Sequence, residues 1–187
     1  MKKSERIQVI TEIVSALAVI VTLVFLIIEI RLNTEQTTLN VRAVEADAYQ
    51  GLIAQMTHIN KRGLDYPEFQ DIWRRWQQGD SNLPREEYGQ VNSYLWMIIR
   101  HADLAYYQYE RGIIDEERFL AVITVLTGPL KASVRVREEW DRRKLNLVQG
   151  FKDTIDNYIE EWKLANPEAI AEQEKIVRTL PTEKAHE

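Results

Sequence analysis

The run TEIVSALAVIVTLVFLIIEIRLNTEQ, Thr11 to Gln36, constrains this chain more than any other stretch. Sixteen consecutive residues, Ile13 to Ile28, carry no charge, and the wider apolar span from Ile7 to Ile30 is broken by Gln8, Thr11, Glu12 and Glu29. At ~1.5 Å per helical residue, about twenty such residues cross the ~30 Å hydrocarbon layer of a bilayer. Glu12 and Glu29 then fall near the two interfaces, where a carboxylate costs far less than at the midplane, and Arg6 and Arg31 are near enough in sequence to offset them. A cleaved signal would have a shorter apolar region followed by a small-residue cleavage site, whereas here Ile-Glu-Ile-Arg-Leu-Asn follows. The expectation is an uncleaved transmembrane anchor rather than a signal or the buried helix of a soluble core.

Beyond the anchor the chain reads as a charged helical domain. Of 187 residues, 28% are charged, and removing about two dozen for the anchor leaves enough for one core. The net charge of −5 argues against a nucleic-acid binder, which carries a basic face to meet phosphates. Zero cysteines removes disulfides, thiolate metal sites and cysteine nucleophiles together.

Pro and Gly punctuate helical-period segments. Leu39, Ala43, Ala46, Ile53, Met56 and Ile59 carry the anchor's helix onward to Gly63. Pro67 opens a short helix through Phe69, Ile72, Trp73 and Trp76, which stops at Gly79-Asp80. Pro84 opens a long helix, apolar on most sides, that ends at Gly112 and has the character of a central helix. Asp115 caps the next, expected to end at Gly128-Pro129; a further helix carries Leu130, Val134 and Trp140. Val148, Phe151, Ile155, Tyr158, Ile159 and Trp162 form the stripe of another, and Asn166-Pro167 starts a last acidic segment. No strand-like alternation is long enough for a sheet. The expected fold is all-α: segment 1–32 with the anchor, a juxtamembrane helix over 33–64, a helical bundle over 65–165 and an acidic C-terminal segment over 166–187.

The stretches FLIIEIRLNTEQ, HADLAYYQYERGIIDEERF and REEW…F resemble a family of uncharacterised bacterial single-pass membrane proteins, in which a terminal anchor leads into an aromatic-rich helical domain. The likeness extends over roughly residues 7 to 163. It implies an anchored helical fold, and the family brings no catalytic activity with it.

Three groups of residues are candidates for function. Arg100, Asp103 and Tyr107 recur at three and four on the central helix, followed by Glu110 or Arg111, with His101 one step around. An enzyme would use Asp103 or His101 as a general base; otherwise the group is a structural polar network. His101 and Asp103 diverge by about 200° around a helix, too far for a local metal pair. With His58 on another helix and His186 in the tail, no metal, cofactor or catalytic set is expected. KASVRVREEWDRRKLN sets six Lys/Arg against three acids. Lys131, Arg135, Arg142, Arg143 and Lys144 could meet anionic headgroups or an acidic partner, or pair with the acidic segment that follows. The five tryptophans, Trp73, Trp76, Trp96, Trp140 and Trp162, read as core aromatics.

The third group lies in the anchor. Thr11, Ser15, Ala18, Thr22, Phe25 and Glu29 follow one another at four, three, four, three and four, while Val14, Leu17, Val21, Val24 and Ile28 take other faces. In lipid, helices associate by close packing at small residues and by hydrogen bonds between hydroxyls, so this seam is a candidate contact face. The functional expectation is a non-enzymatic, bacterial inner-membrane scaffold or accessory subunit that contacts itself or other membrane proteins. The alternatives are a pore whose polar seam lines a cation path, and an enzyme on the Arg100 to Tyr107 face. Lys2, Lys3 and Arg6 precede the anchor and Arg31 and Arg42 follow it, a margin of one charge for a cytoplasmic amino terminus and a periplasmic domain.

Overall fold

A computed structural model describes residues 3–80 and 82–179 of the chain, which are all-α. The helices are α1 (Lys3–Asp65), α2 (Pro67–Gln77), α3 (Arg85–Glu110), α4 (Glu116–Ala132), α5 (Val134–Arg143), α6 (Gln149–Ala165) and α7 (Pro167–Thr179), with a short 3-10 turn at Lys144–Asn146. The chain divides into two compact units, Met1–Ala46 and Asp47–Glu187.

The first unit holds only the amino-terminal part of α1, whose remainder belongs to the second. It carries an 18-residue stretch of mean hydropathy 2.9, and none of that stretch is buried by the rest of the chain. By itself it is the one helix among the described residues long and apolar enough to cross a membrane. Thr22, Thr34, Thr37 and Thr38 donate their hydroxyl protons to the carbonyls four residues back, at 2.8–2.9 Å, so these polar groups are satisfied within the helix.

The second unit is built around α3. Val91, Leu95, Ile98, Ile99, Ala102 and Ala105 are all at most 2% exposed and share the core with Leu52 and Ile59 of α1, Ile72 and Trp76 of α2, Val122, Ile123, Leu126 and Leu130 of α4, and Phe151 and Ile155 of α6. Segment 33–64 thus contributes its carboxyl half to this core. Aromatic contacts fill the spaces between helices. Trp73 stacks on Trp76 with Tyr94 edge-on at 5.0 Å; Tyr109 stacks on Phe119 at 4.8 Å; Trp140 stands at 89° to Phe151.

Glycine turns decide where helices stop. α3 ends in a Schellman motif: Gly112, at φ +66°, donates to the Tyr109 carbonyl and Ile113 donates to that of Gln108, both at 2.9 Å. The chain then reverses within a few residues. Asp115 caps α4 by accepting from the Arg118 amide at 2.8 Å, and its other oxygen pairs with the Arg118 guanidinium. Gly79, at φ +86°, closes α2 in the same way, with Gly79 donating to Trp76 and Asp80 to Arg75. Gly150 serves a different purpose, since a Cβ there would run into the Tyr106 hydroxyl of α3, so glycine lets α6 approach closely.

One expected boundary moves. Helix α4 does not end at Gly128-Pro129 but continues through Pro129 to Ala132, and the break comes at Ser133, whose extended backbone turns the chain by 120° into α5. Leu126 and Leu130 are buried on the same face, at 1% and 0% exposure. Burying a leucine is worth about 1.5–3 kcal/mol, comparable to the ~3 kcal/mol that an interior proline costs. Leu130 therefore belongs to α4, and α5 carries Val136 and Trp140. The carbonyls of Leu130 and Lys131, left open at the end of α4, are taken up by the Arg137 guanidinium at 2.6 and 3.4 Å, and by the Gln173 amide at 2.8 Å to Lys131. Gln173 also accepts from Arg137 at 2.7 Å, which ties α7 to α5. Residues 180–187 of the acidic segment lie outside the described residues, and His186 with them.

Gly112→Val forces a β-branched residue to positive φ at the turn joining two core helices. We expect a loss of about 1–3 kcal/mol and a lowered cooperative melt of the full chain in detergent by circular dichroism. An unchanged melt would mean that this turn does not fix how α3 and α4 meet. Gly150→Ala should also lower the melt, and combining it with Tyr106→Phe, which removes the clashing hydroxyl, should restore part of the loss.

Candidate functional site

The polar residues of α3 separate into two environments. Arg100 pairs with Asp103 at 3.1 Å on the outer side, where the Arg100 side chain is 58% and that of Asp103 24% exposed. Tyr107 is exposed, with the Arg111 guanidinium 5.3 Å over its ring. His101 does not join them. It faces inward, 3% exposed, with Nδ1 3.3 Å from Oε1 of Gln55 on α1, while Nε2 is buried without a hydrogen-bond partner. Arg100, Asp103 and Tyr107 therefore share an outer face, and His101 belongs to the contact between α3 and α1. A recess elsewhere on this unit is lined by Arg62, Tyr66, Glu68 and Gln90, a set that does not include Asp103.

Burial pushes the His101 pKa below its ordinary value. The buried ring is thus neutral in the folded protein near neutral pH. Its depressed folded-state pKa makes the unfolded chain the stronger proton binder, so its contribution to stability is present above about pH 6.5, the ordinary histidine value, and is lost as the pH falls through the folded-state value.

The basic stretch is engaged largely within the fold. Glu139 is 6% and Arg143 8% exposed, and they pair at 3.1 Å. Arg142 reaches the other Glu139 oxygen at 2.7 Å. The Arg143 guanidinium also lies 5.3 Å over the Trp96 ring, and that of Arg100 lies 5.6 Å from the same ring, so Trp96 joins α3 to α5 through cation–π contacts. Arg135 covers Trp76 at 5.4 Å. Lys144 bridges Asp141 and Asp156 at 2.7 and 2.8 Å, and Lys131 donates to the Tyr158 hydroxyl at 3.2 Å. Asp156 also accepts from the Trp140 indole at 2.7 Å. Of the five tryptophans, Trp76 and Trp140 are buried and Trp73, Trp96 and Trp162 are half-buried.

Ser15, Ala18, Thr22, Phe25 and Glu29 are exposed along α1, as is Thr11, and Thr22 donates its hydroxyl to Ala18 at 2.9 Å. The seam is thus an exposed stripe on the part of α1 that the rest of the described chain leaves bare. Two residues that sequence reasoning did not single out organise the bundle: Glu139, the acid between two arginines, and Gln173, which closes the end of α4. The i, i+3 and i, i+4 spacing of Glu139 to Arg142 and Arg143 is the one signal that could have marked the first.

Breaking the buried pair with Glu139→Leu should cost about 3–5 kcal/mol, because Arg143 would be left buried without its counter-charge. The double change Glu139→Leu with Arg143→Met should recover most of it. Asp103→Asn, at an outer pair, should cost at most about 1 kcal/mol. Chemical denaturation of the full chain in detergent measures all three, and a Glu139→Leu cost no larger than that of Asp103→Asn would remove the buried pair from the account. Lowering the pH from 7.5 to 5.5 should destabilise the protein, and His101→Gln should flatten that slope; an equal slope in the variant would assign the effect to other groups.

Comparison of the chain with protein-family models, with curated proteins and with solved structures finds no match.

Proposed function

We propose that the protein is a single-pass bacterial inner-membrane protein whose helical domain stands at the membrane surface as an interaction or scaffold module. It works in a homo-oligomer or as an accessory subunit of a larger membrane complex, without catalysis of its own. The observation that carries this reading is the bare apolar length of α1: a stretch of mean hydropathy 2.9 that no part of the chain covers. Lipid is the solvent in which such a helix is stable without further tertiary contacts.

The seam supports the interaction role. Ser15, Ala18 and Thr22 are small and follow the contact spacing, and apolar burial offers little gain between helices in lipid, so close approach at small residues is the available driving force. The domain's aromatic and ionic residues support a structural rather than a chemical role for the bundle, since the best candidate base, Asp103, is matched with Arg100 on the outer face. The count of basic residues around the anchor favours a cytoplasmic amino terminus and a periplasmic bundle.

Ser15→Leu or Ala18→Leu should weaken assembly, because a bulky side chain forces the two backbones apart, while Leu17→Ala on another face should matter less. Amine cross-linking in membranes and the set of proteins recovered in mild detergent report the outcome. Equal yields for the three variants would take the seam out of the interface.

A further inference from the structure

Helix α1 does not end where its apolar run ends, and neither does the spacing of the seam. Past Glu29, Leu32, Gln36, Leu39, Ala43 and Ala46 follow at three, four, three, four and three, all on a helix that continues to Asp65. Each of them is exposed, Leu32 by 61% and Leu39 by 57%. An average spacing of 3.5 is the period of a left-handed coiled coil rather than of a lone straight helix. In that register Leu32, Leu39 and Ala46 take the d positions and Gln36 and Ala43 the a positions. Val41 and Val44, also exposed, fall at the outer f and b positions.

Charge and topology select the occupant of this face. Copies of a single-pass protein share one orientation and one depth in the bilayer, so two of them meet parallel and in register. In a parallel pair, the g residue of one helix faces the e residue five places further along the other. Arg42 takes a g position and Asp47 the matching e position, opposite charges that meet across two copies. Within the described residues neither has an ion-pair partner. The preceding g and e residues, Glu35 and Asn40, set no like charges against each other. Gln36, a polar residue at an a position, favours a fixed register at some cost in stability.

We propose that α1 beyond the membrane pairs with α1 of a second copy as a parallel two-stranded coil, with Leu32, Leu39 and Ala46 at its core and Arg42 matched to Asp47 of the second copy. This rests on the anchored scaffold reading and names the partner as the chain itself. The absence of cysteine makes single-cysteine variants of the full chain clean reporters in membranes. Oxidative cross-linking should give several-fold more homodimer from Leu32→Cys, Leu39→Cys and Ala46→Cys than from Val41→Cys and Val44→Cys. Adding Arg42→Asp or Asp47→Arg to Leu39→Cys should lower its yield several-fold, and adding both together should restore it. Equal yields at all five positions, or a Leu39→Cys adduct with a different protein, overturn the proposal. Ser15→Cys in the anchor separates the two readings. Homodimer at Ser15→Cys with none at Leu39→Cys overturns the coil and leaves the scaffold standing, whereas no adduct of any kind at either position overturns both.

Discussion

Helix α3 needs to be enclosed, and the arrangement of the second unit follows from that need. Its inner residues from Val91 to Ala105 are at most 3% exposed, His101 among them, and they are covered by α1, α2, α4 and α6 together. A helix apolar on most sides is stable in water only when surrounded. The glycine turns at Gly79 and Gly112 bring the flanking helices back onto it, and Gly150 lets α6 approach to the hydroxyl of Tyr106. His101 marks the cost of this enclosure: a titratable ring held neutral, with one nitrogen near Gln55 and the other without a partner.

On the anchored reading proposed above, the first unit obeys the same physics in another solvent. Its large apolar side chains between Ile13 and Ile28 are exposed, and nothing among the described residues covers them. A bilayer would meet that need, since it hides apolar side chains while the helix satisfies its own backbone. Threonines that bond back to their own helix reduce the number of polar groups that need an outside partner. What remains outward is shape, and a stripe of small residues is the shape that lets another helix come close.

Helical class and most boundaries were legible in the sequence because their signals are local. Pro67, Gly112 and Asp115 act within one turn of where they stand, and the structure uses each as its chemistry suggests. Pro129 reads locally as a helix stop, but that local meaning is outweighed by the burial of Leu126 and Leu130, which depends on distant helices. His101 looked like a member of the polar face for the same reason: one step of 100° separates the outer side of α3 from the core, and only the neighbouring helix shows on which side it lies. The pairing of Glu139 with Arg143 was hidden because such charges at i, i+4 are usually solvated. Here both are buried, and the Arg143 guanidinium lies over Trp96 of another helix.

On the proposed reading, α1 spans a membrane and holds the folded bundle at its periplasmic surface. Protease treatment of sealed vesicles of known orientation decides it. Right-side-out vesicles should lose the bundle and keep a short bilayer-embedded fragment containing Ile13 to Ile28, while inside-out vesicles should protect the bundle. Release of the intact chain into the soluble fraction by alkaline carbonate, or digestion of the bundle to the same extent from both sides, would contradict it.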